Sequence, residues 1–436
     1  MAASVEVGVG LLGYGTVGSA VNRLLVENAD DIERATGHRL RVVRALVRDL
    51  ERERELPPGA GVLTTDPAEI RDDPAIGVVA EVMGGVEPAG SHVLELLGVG
   101  KPVVTANKQL VARRGSELFA AAAAAGVQLR FEASVCAAIP VIKVLRESLV
   151  ATNVHRILGI VNGTTNFILT EMESGATFDA ALAEAQRRGF AEADPSDDIS
   201  GADAAAKMAI LATIAFGSRV ALEDVDYRGL DEIPQGLPVA ARELEMVVRL
   251  VGAATLLDDK VDVRVRPALV DLHHPLAAVD GAFNAVMLQG DAIREITLEG
   301  PGAGGIETAS AVVADMVSII GTTGTGFLHN DPCWRTLERL PPGELRSPFY
   351  VQLEVDDLPG VLADVSHRLA AHGISVARLT QVPVGAGAAL HIVLHESPQR
   401  EVDAALHEIG QLPQVHAPPC VLPVVSDRGV VELGWA

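Results

Sequence analysis

Aromatic residues are scarce in this chain of 436 residues: they make up 3% of it, within a hydrophobic share of 48%. The core must therefore be built from Ala, Val, Leu and Ile. Cysteine is nearly absent as well. Cys136, Cys333 and Cys420 are odd in number and far apart, which excludes a disulfide framework and a paired zinc spacing and leads us to expect a reducing, cytoplasmic setting. Positive charge is short: 35 Lys+Arg face 58 Asp+Glu, for a formal net charge of −23. That argues against nucleic acid or an anionic membrane as the main partner. No apolar run is long enough to span a bilayer; the longest, around Ala204 to Phe216, is too short and starts at a charged pair. Met1 to Gly10 carries no basic stretch of a secretory signal. Lysine is the scarcest cation. Only Lys101, Lys108, Lys143, Lys207 and Lys260 occur, and arginine supplies the rest.

What the chain does have is an unusual stretch from 189 to 212. Glu192, Asp194, Asp197 and Asp198 crowd around the helix-breaking Pro195. A helix from about Ala202 to Phe216 follows, almost all Ala, Ile, Leu and Met, and such a helix is expected to be buried on most sides. Asp203 and Lys207 lie four residues apart on it, hence on one face. Two readings stand. In one, Ser200 and Asp203 form a capping box and the pair is a surface salt bridge contributing about 0.3–0.5 kcal/mol. In the other, Lys207 is buried, where desolvation brings an amine into the range useful for proton transfer. The scarcity of lysine favours the second, because arginine cannot give up its proton.

The N-terminus reads as a dinucleotide fold. Val5 to Leu12 is an apolar strand; Gly13-Tyr14-Gly15-Thr16-Val17-Gly18 follows and opens a helix. In that context the spacing GxGxxG has a mechanism: a tight turn, close approach to a pyrophosphate, and close helix packing. A second strand, Leu40 to Val47, ends in Arg48-Asp49. The acid suits the ribose of NAD and the arginine suits the 2′-phosphate of NADP; with both present we favour NADP, although Arg48 also opens a solvated charge run. Ile76 to Val82 and Pro102 to Val104 end in Gly84-Gly85 and in Thr105-Ala-Asn107-Lys108, at the strand ends where such sheets bind ligands. Gln128 to Val135 is expected to be a strand containing Glu132, with Pro140 opening the next helix. Asn162 to Asn166 reads as a polar turn offering backbone donors to a small anion. A hairpin is expected over Asn284 to Glu299, and a glycine loop at 300–305 returns the chain to the first domain. Thr322 to Pro348 reads as a linker. After it the order strand, helix, strand, strand, helix, strand is ferredoxin-like.

The motifs LLGYGTVGSAV, VMGGVEPA, VVTANKQLVA, FEASVCAAIP, VNGTTNFILT, AEADPSDDISGADAAAKMAILA and GPGAGGIETASAVVAD, in this order, resemble the bacterial homoserine dehydrogenases that end in an ACT domain. The resemblance covers about Val7 to Val425. It implies an α/β chain: a Rossmann-type parallel sheet over 1–130, completed by about 303–322; an α+β catalytic and dimerisation domain over 131–302; a linker over 323–347; and a ferredoxin-like ACT domain over 348–428. It implies interconversion of L-homoserine and L-aspartate 4-semialdehyde with NADP or NAD, in threonine, methionine and isoleucine biosynthesis. Lys207 would move the proton, Asp203 would hold substrate and lysine, and Glu192 would bind the substrate ammonium. Lys108 is a second acid/base candidate. Arg48, Thr105, Asn107 and Gly304 would join the glycine turn around the cofactor. A monovalent cation, usually sodium, would sit on backbone oxygens at Glu132, Val135, Ala137 and Ile139. The ACT domain implies an amino-acid effector, threonine in the family, and a homodimer or homotetramer. One departure stands out: Cys136-Ala137-Ala138 replaces a glycine-rich turn, so any φ > 0 there is strained by a Cβ. Two other readings remain open at this point: another NADP-dependent dehydrogenase on the same scaffold, and a threonine-responsive sensor with little activity.

Overall fold

The computed structural model describes residues 5–425 apart from 55, 232, 322–335, 342 and 386. Most of the expected linker, 322–335, therefore lies outside the described residues. The chain divides into two compact units. The first comprises residues 1–157, 205–225 and 283–337, the second 158–204, 226–282 and 338–436.

The first unit is organised on a six-stranded parallel sheet. Its strands are β1 (Val5–Leu12), β2 (His38–Leu46), β3 (Leu63–Thr64), β4 (Ile76–Glu81), β5 (Val103–Thr105) and β6 (Leu129–Arg130), in spatial order β3-β2-β1-β4-β5-β6. Strand order reverses beside β1, the position where open α/β sheets bind ligands. Helix α1 (Thr16–Glu27) follows β1, and helix α2 (Lys108–Ala125) follows β5. Val9 and Leu11 of β1 pack with Val21 and Leu25 of α1 and with Val312 and Met316 of the helix Gly305–Gly321. That late helix thus shares the core of β1 and α1. The hairpin also forms, pairing Phe283–Gly290 with Glu295–Pro301 antiparallel.

One expected strand does not hold its length. β6 ends at Arg130, and Glu132–Ser134 is a 3-10 turn. The reason is non-local. The Glu132 carboxylate accepts from the main-chain N–H groups of Ile142 and Lys143 at 2.8 Å each, and its own N–H donates to Asp315 at 2.9 Å. Glu132 therefore caps the next helix instead of pairing in a sheet.

In the second unit β7 (Met246–Leu257) and β8 (Lys260–Asp271), twelve residues each, form an antiparallel hairpin. Asp258 and Asp259 both take positive φ, of 46° and 63°, in the two-residue connection between them, a geometry that matches the twist of the strands. The C-terminal segment then follows the expected order: β9 (Arg346–Asp356), α3 (Val361–Ala371), β10 (Val376–Val384), β11 (Gly387–Pro398), α4 (Gln399–Ile409) and β12 (Cys420–Val425). Its core sets Phe349, Val351 and Leu353 against Val365 and Leu369 of α3 and Val402 and Leu406 of α4. β12 pairs β9 antiparallel on one side. On the other it pairs β8 parallel at Leu269–Val424 and Val270–Val425. The unit's sheet therefore runs without a break from the β7–β8 hairpin into the ferredoxin-like segment.

Candidate active site

At the glycine turn each of the three motif glycines has a distinct steric reason. Gly13 has φ +107°, and a Cβ on it would lie 2.9 Å from the Val82 carbonyl oxygen. A Cβ on Gly18 would lie 2.4 Å from the Gly13 oxygen. Gly15 faces open space, with nothing within 4 Å of where its Cβ would be. The first turn of α1 has no side-chain cap on its N–H groups. An open backbone approach at a helix N-terminus fits a phosphate. Tyr14 is buried and its hydroxyl accepts from Asn22 Nδ2 at 3.0 Å; burial raises its pKa above the usual 10.0. Thr16 and Val17 stand in the first turn of α1, and Thr16 bounds the second glycine loop, since a Cβ on Gly305 would lie 2.8 Å from its Cγ2. Gly304 takes φ +145° beside it. Arg48 is exposed just beyond the end of β2.

The ends of β4 and β5 carry a network that the sequence reading missed. Glu81 and Thr105 are cross-strand partners. The Thr105 hydroxyl donates to Glu81 at 2.5 Å, and the Met83 N–H donates to the same carboxylate at 2.8 Å. Burial pushes the Glu81 carboxyl above its ordinary range. Asn107 caps α2 through Leu110 N at 3.1 Å and donates to the Gly85 oxygen at 2.5 Å. Lys108, half-buried, is the first residue of α2. An acid closing an otherwise apolar strand was the available signal for Glu81. Asn284 is a second missed residue. It is fully buried, neither amide atom has a hydrogen-bond partner among the described residues, and Gly302 is tight against it. Such a group calls for a bound molecule or a water.

The helix Ala202–Phe216 buries both of its charged residues. Asp203 is 4% exposed and Lys207 8%, among Ala204, Ala205, Ala206 and Met208, all buried. The burial of each fits the second reading and not an exposed salt bridge. The Ser200 hydroxyl accepts from Ala202 N at 3.4 Å. Asp203 accepts from Asn162 Nδ2 at 2.8 Å. The same amide nitrogen donates to Asp198 at 2.6 Å. On its other side Asn162 Oδ1 accepts from the Thr165 N–H at 2.8 Å and the Thr165 hydroxyl at 2.9 Å. Asn162 is thus the N-cap of the helix Gly163–Glu173 and the donor shared by two carboxylates. The anticipated polar turn is the first turn of that helix, and its Thr165 donor is taken by Asn162. Glu192 is exposed, and its main-chain oxygen accepts from Gln186 at 3.1 Å.

The turn at Val135, Ala137 and Ile139 is buried, and Cys136 and Ala137 take φ of 54° and 37°. Left-handed backbone under a Cβ costs about 1–3 kcal/mol and persists chiefly where function retains it. Among the described residues no group of three or more His, Cys, Asp or Glu is placed to hold a metal ion, and the Glu132 carboxylate is already committed to the helix cap. A cation here would have main-chain oxygens as its donors, which suits a monovalent ion better than a transition metal.

Comparison with known proteins identifies the family. The profile described as homoserine dehydrogenase, NAD binding domain, matches residues 13–132, that of homoserine dehydrogenase residues 140–317, and that of the ACT domain residues 349–414. The homoserine dehydrogenase of Bacillus subtilis is 38% identical over 98% of this chain and 99% of its own. That of Synechocystis is 39% identical over 97% and 100%. The crystal structure of a homoserine dehydrogenase from Thiobacillus denitrificans superposes with a TM-score of 0.91 at 40% identity, covering 97% of this chain and 98% of that one. A hyperthermophilic archaeal homoserine dehydrogenase in complex with NADPH matches with a TM-score of 0.62 at 30% identity, covering 72% and 98%.

Proposed function

The chain belongs to the homoserine dehydrogenase family, and from that premise we propose how its residues divide the reaction. The enzyme is an oxidoreductase with an NAD(P)-binding domain and an ACT domain. It interconverts L-homoserine and L-aspartate 4-semialdehyde, the step shared by threonine, methionine and isoleucine biosynthesis. When bound, the nicotinamide supplies or accepts the hydride at the substrate carbon. Lys207 does the proton chemistry: in the oxidation direction the substrate O–H breaks and its proton passes to the neutral amine of Lys207, and in the reduction it returns. Asp203, oriented by Asn162, holds the substrate and Lys207 in register. Glu192 takes the substrate ammonium. Lys108, at the positive end of α2, is the second group able to serve the same oxygen.

Gly13, Tyr14, Gly15, Thr16, Val17 and Gly18 hold the pyrophosphate, and Thr105, Asn107, Lys108 and Gly304 line the rest of the cofactor site. Arg48 selects NADP over NAD, its exposed guanidinium being suited to a 2′-phosphate. A sodium ion binds the main-chain oxygens of Glu132, Val135, Ala137 and Ile139. Threonine inhibits through the ACT domain, the protein acts in the cytoplasm, and it assembles as a dimer or tetramer.

The observation that carries the reading is the burial of a scarce lysine, one helical turn from a carboxylate that is itself held by an amide. Initial rates of homoserine oxidation with NADP and with NAD, with and without threonine and with sodium replaced by choline, test it. Turnover that prefers NADP, requires sodium and falls with threonine is expected. A purified protein that oxidises other short amino-acid alcohols as well as homoserine would overturn the substrate assignment.

A further inference from the structure

The residues just before Asp203 are held main chain to main chain. The Leu230 N–H donates to the Ile199 oxygen at 2.9 Å. Beside it Gly229 leaves no room for a side chain: a Cβ there would overlap the Ile199 carbonyl oxygen and lie 2.6 Å from the Ser200 Cα. Gly229 is not among the glycines of positive φ, so close approach of two backbones, and not an unusual conformation, is what calls for glycine here. Gly201 faces back across the contact, with φ +82° and the Arg228 oxygen 3.1 Å from where its Cβ would be. Residues 199–201 thus sit directly on residues 228–230, two positions ahead of Asp203.

This seat is itself anchored. Asp226 and Tyr227 pair parallel with Arg264 and Val265 of β8, and the Arg228 N–H donates to the Val265 oxygen at 2.9 Å. The Asp226 carboxylate pairs with Arg266, whose Nη1 donates to the Gln399 side-chain oxygen at 3.3 Å. Gln399 is buried and is the first residue of α4 in the ferredoxin-like segment. The Asp226 side chain is 40% exposed, and an ion pair so open to water contributes little to stability. What it supplies is position, because it ties down the strand that carries Gly229 three residues further on.

We propose that Gly229 is a positioning residue for the reaction, setting the place of Asp203 through the contact of residues 228–230 with 199–201, and that Arg266 ties this contact to α4 of the ferredoxin-like segment. The proposal rests on the reading of Asp203 and Lys207 as the reacting pair. Asn162 orients the Asp203 carboxylate through its amide; Gly229 places the main chain that bears it. A misplacement of about 1 Å caused far from the chemistry can cost about a hundredfold in rate. A contact between two backbones has no flexible side chain to absorb such a shift.

Initial rates of homoserine oxidation, direct titration of NADP and scanning calorimetry on Gly229→Ala, Arg266→Gln and Arg266→Lys test it. Gly229→Ala is expected to lower kcat at least about tenfold with the Kd for NADP unchanged. Arg266→Gln leaves the backbone contact intact and decides even where Gly229→Ala fails to fold. Its kcat should fall about three- to tenfold with Tm close to wild type, and Arg266→Lys, which keeps the charge, should lie between the two. Combined with Asn162→Ser, the losses in kcat/KM should be less than multiplicative, because both changes act on one carboxylate. Wild-type kcat in Arg266→Gln, or losses that multiply fully, overturns the tie to α4. A folded Gly229→Ala with wild-type kcat overturns the seat and leaves the reacting pair standing. Wild-type turnover in Lys207→Ala overturns the reading of that pair, and the seat with it.

Discussion

Asn162 separates two kinds of support in one side chain, and its replacement by serine is the most informative single change. The amide donates to Asp203 at 2.8 Å and to Asp198 at 2.6 Å, and its oxygen caps the helix Gly163–Glu173 through Thr165. Serine keeps a capping oxygen and removes both donations. A hydrogen bond to a charged group contributes about 1.5–3 kcal/mol. Loss of that orientation from Asp203 should lower kcat/KM for homoserine by roughly 10–100-fold, since about 1.4 kcal/mol in the transition state is tenfold in rate. Leaving a buried carboxylate short of a donor should also lower Tm, by about 2–4 °C per kcal/mol for a unit of this size. Asn162→Ala should lose about 1 kcal/mol more through the missing cap. Asn162→Asp should be worst in activity, because it keeps the cap but sets a third carboxylate against the other two. The assays are initial rates at varied homoserine and differential scanning calorimetry on the same samples. If the serine variant kept kcat/KM within about threefold of wild type while its Tm fell, Asn162 would be a structural cap alone and the orientation of Asp203 would be immaterial.

Gly15→Ala and Gly18→Ala should behave oppositely. The first adds a methyl into open space, so Tm should hold while the Kd for NADP rises by at least about tenfold. The second drives a Cβ into the Gly13 carbonyl and should cost about 1–3 kcal/mol of stability; fluorescence titration and calorimetry separate the two outcomes. Burial, reinforced by the neighbouring Asp315 carboxyl, pushes the Glu132 carboxyl from its ordinary 4.5 up to about 8. Between those values the folded chain keeps a proton that the unfolded chain has lost, so stability should fall as pH rises from about 4.5 to about 8. Glu132→Gln should flatten that part of the Tm profile, and equal slopes in the two proteins would contradict the assignment.

What could be read in advance, and what could not, divides along the range of the interactions. The glycine turn was legible because its spacing between a strand and a helix is itself the signal, although the atom that Gly13 must clear, the Val82 carbonyl oxygen, lies far along the chain. The ferredoxin-like order was legible because its strands and helices keep their own periodicities. The positive φ at Cys136 and Ala137 falls where the chain departs from the glycine-rich turn of the family it resembles, and that departure was the signal. Glu132 was misplaced in a strand because its partners, Ile142, Lys143 and Asp315, lie outside any local window, and the tertiary cap overrode the β pattern. The bond from Asn162 to Asp203 spans 41 residues, so the sequence showed a polar helix start and not whom it would serve. Strand β7 was missed altogether; its apolar run declares neither period, and its partner β8 decides it. Glu192 lies exposed on the acidic loop, a placement that its crowded charges already suited.

The central claim is that the buried amine of Lys207 moves the proton. Lys207→Ala, assayed for homoserine oxidation with NADP beside a direct titration of the cofactor, tests it most directly. Catalysis by a positioned acid or base is typically worth about 100- to 10,000-fold, so kcat should drop at least about hundredfold with NADP affinity unchanged, and Lys207→Arg should be no better because it holds its proton. Turnover close to wild type in the alanine variant would contradict the account and shift the proton transfer to Lys108.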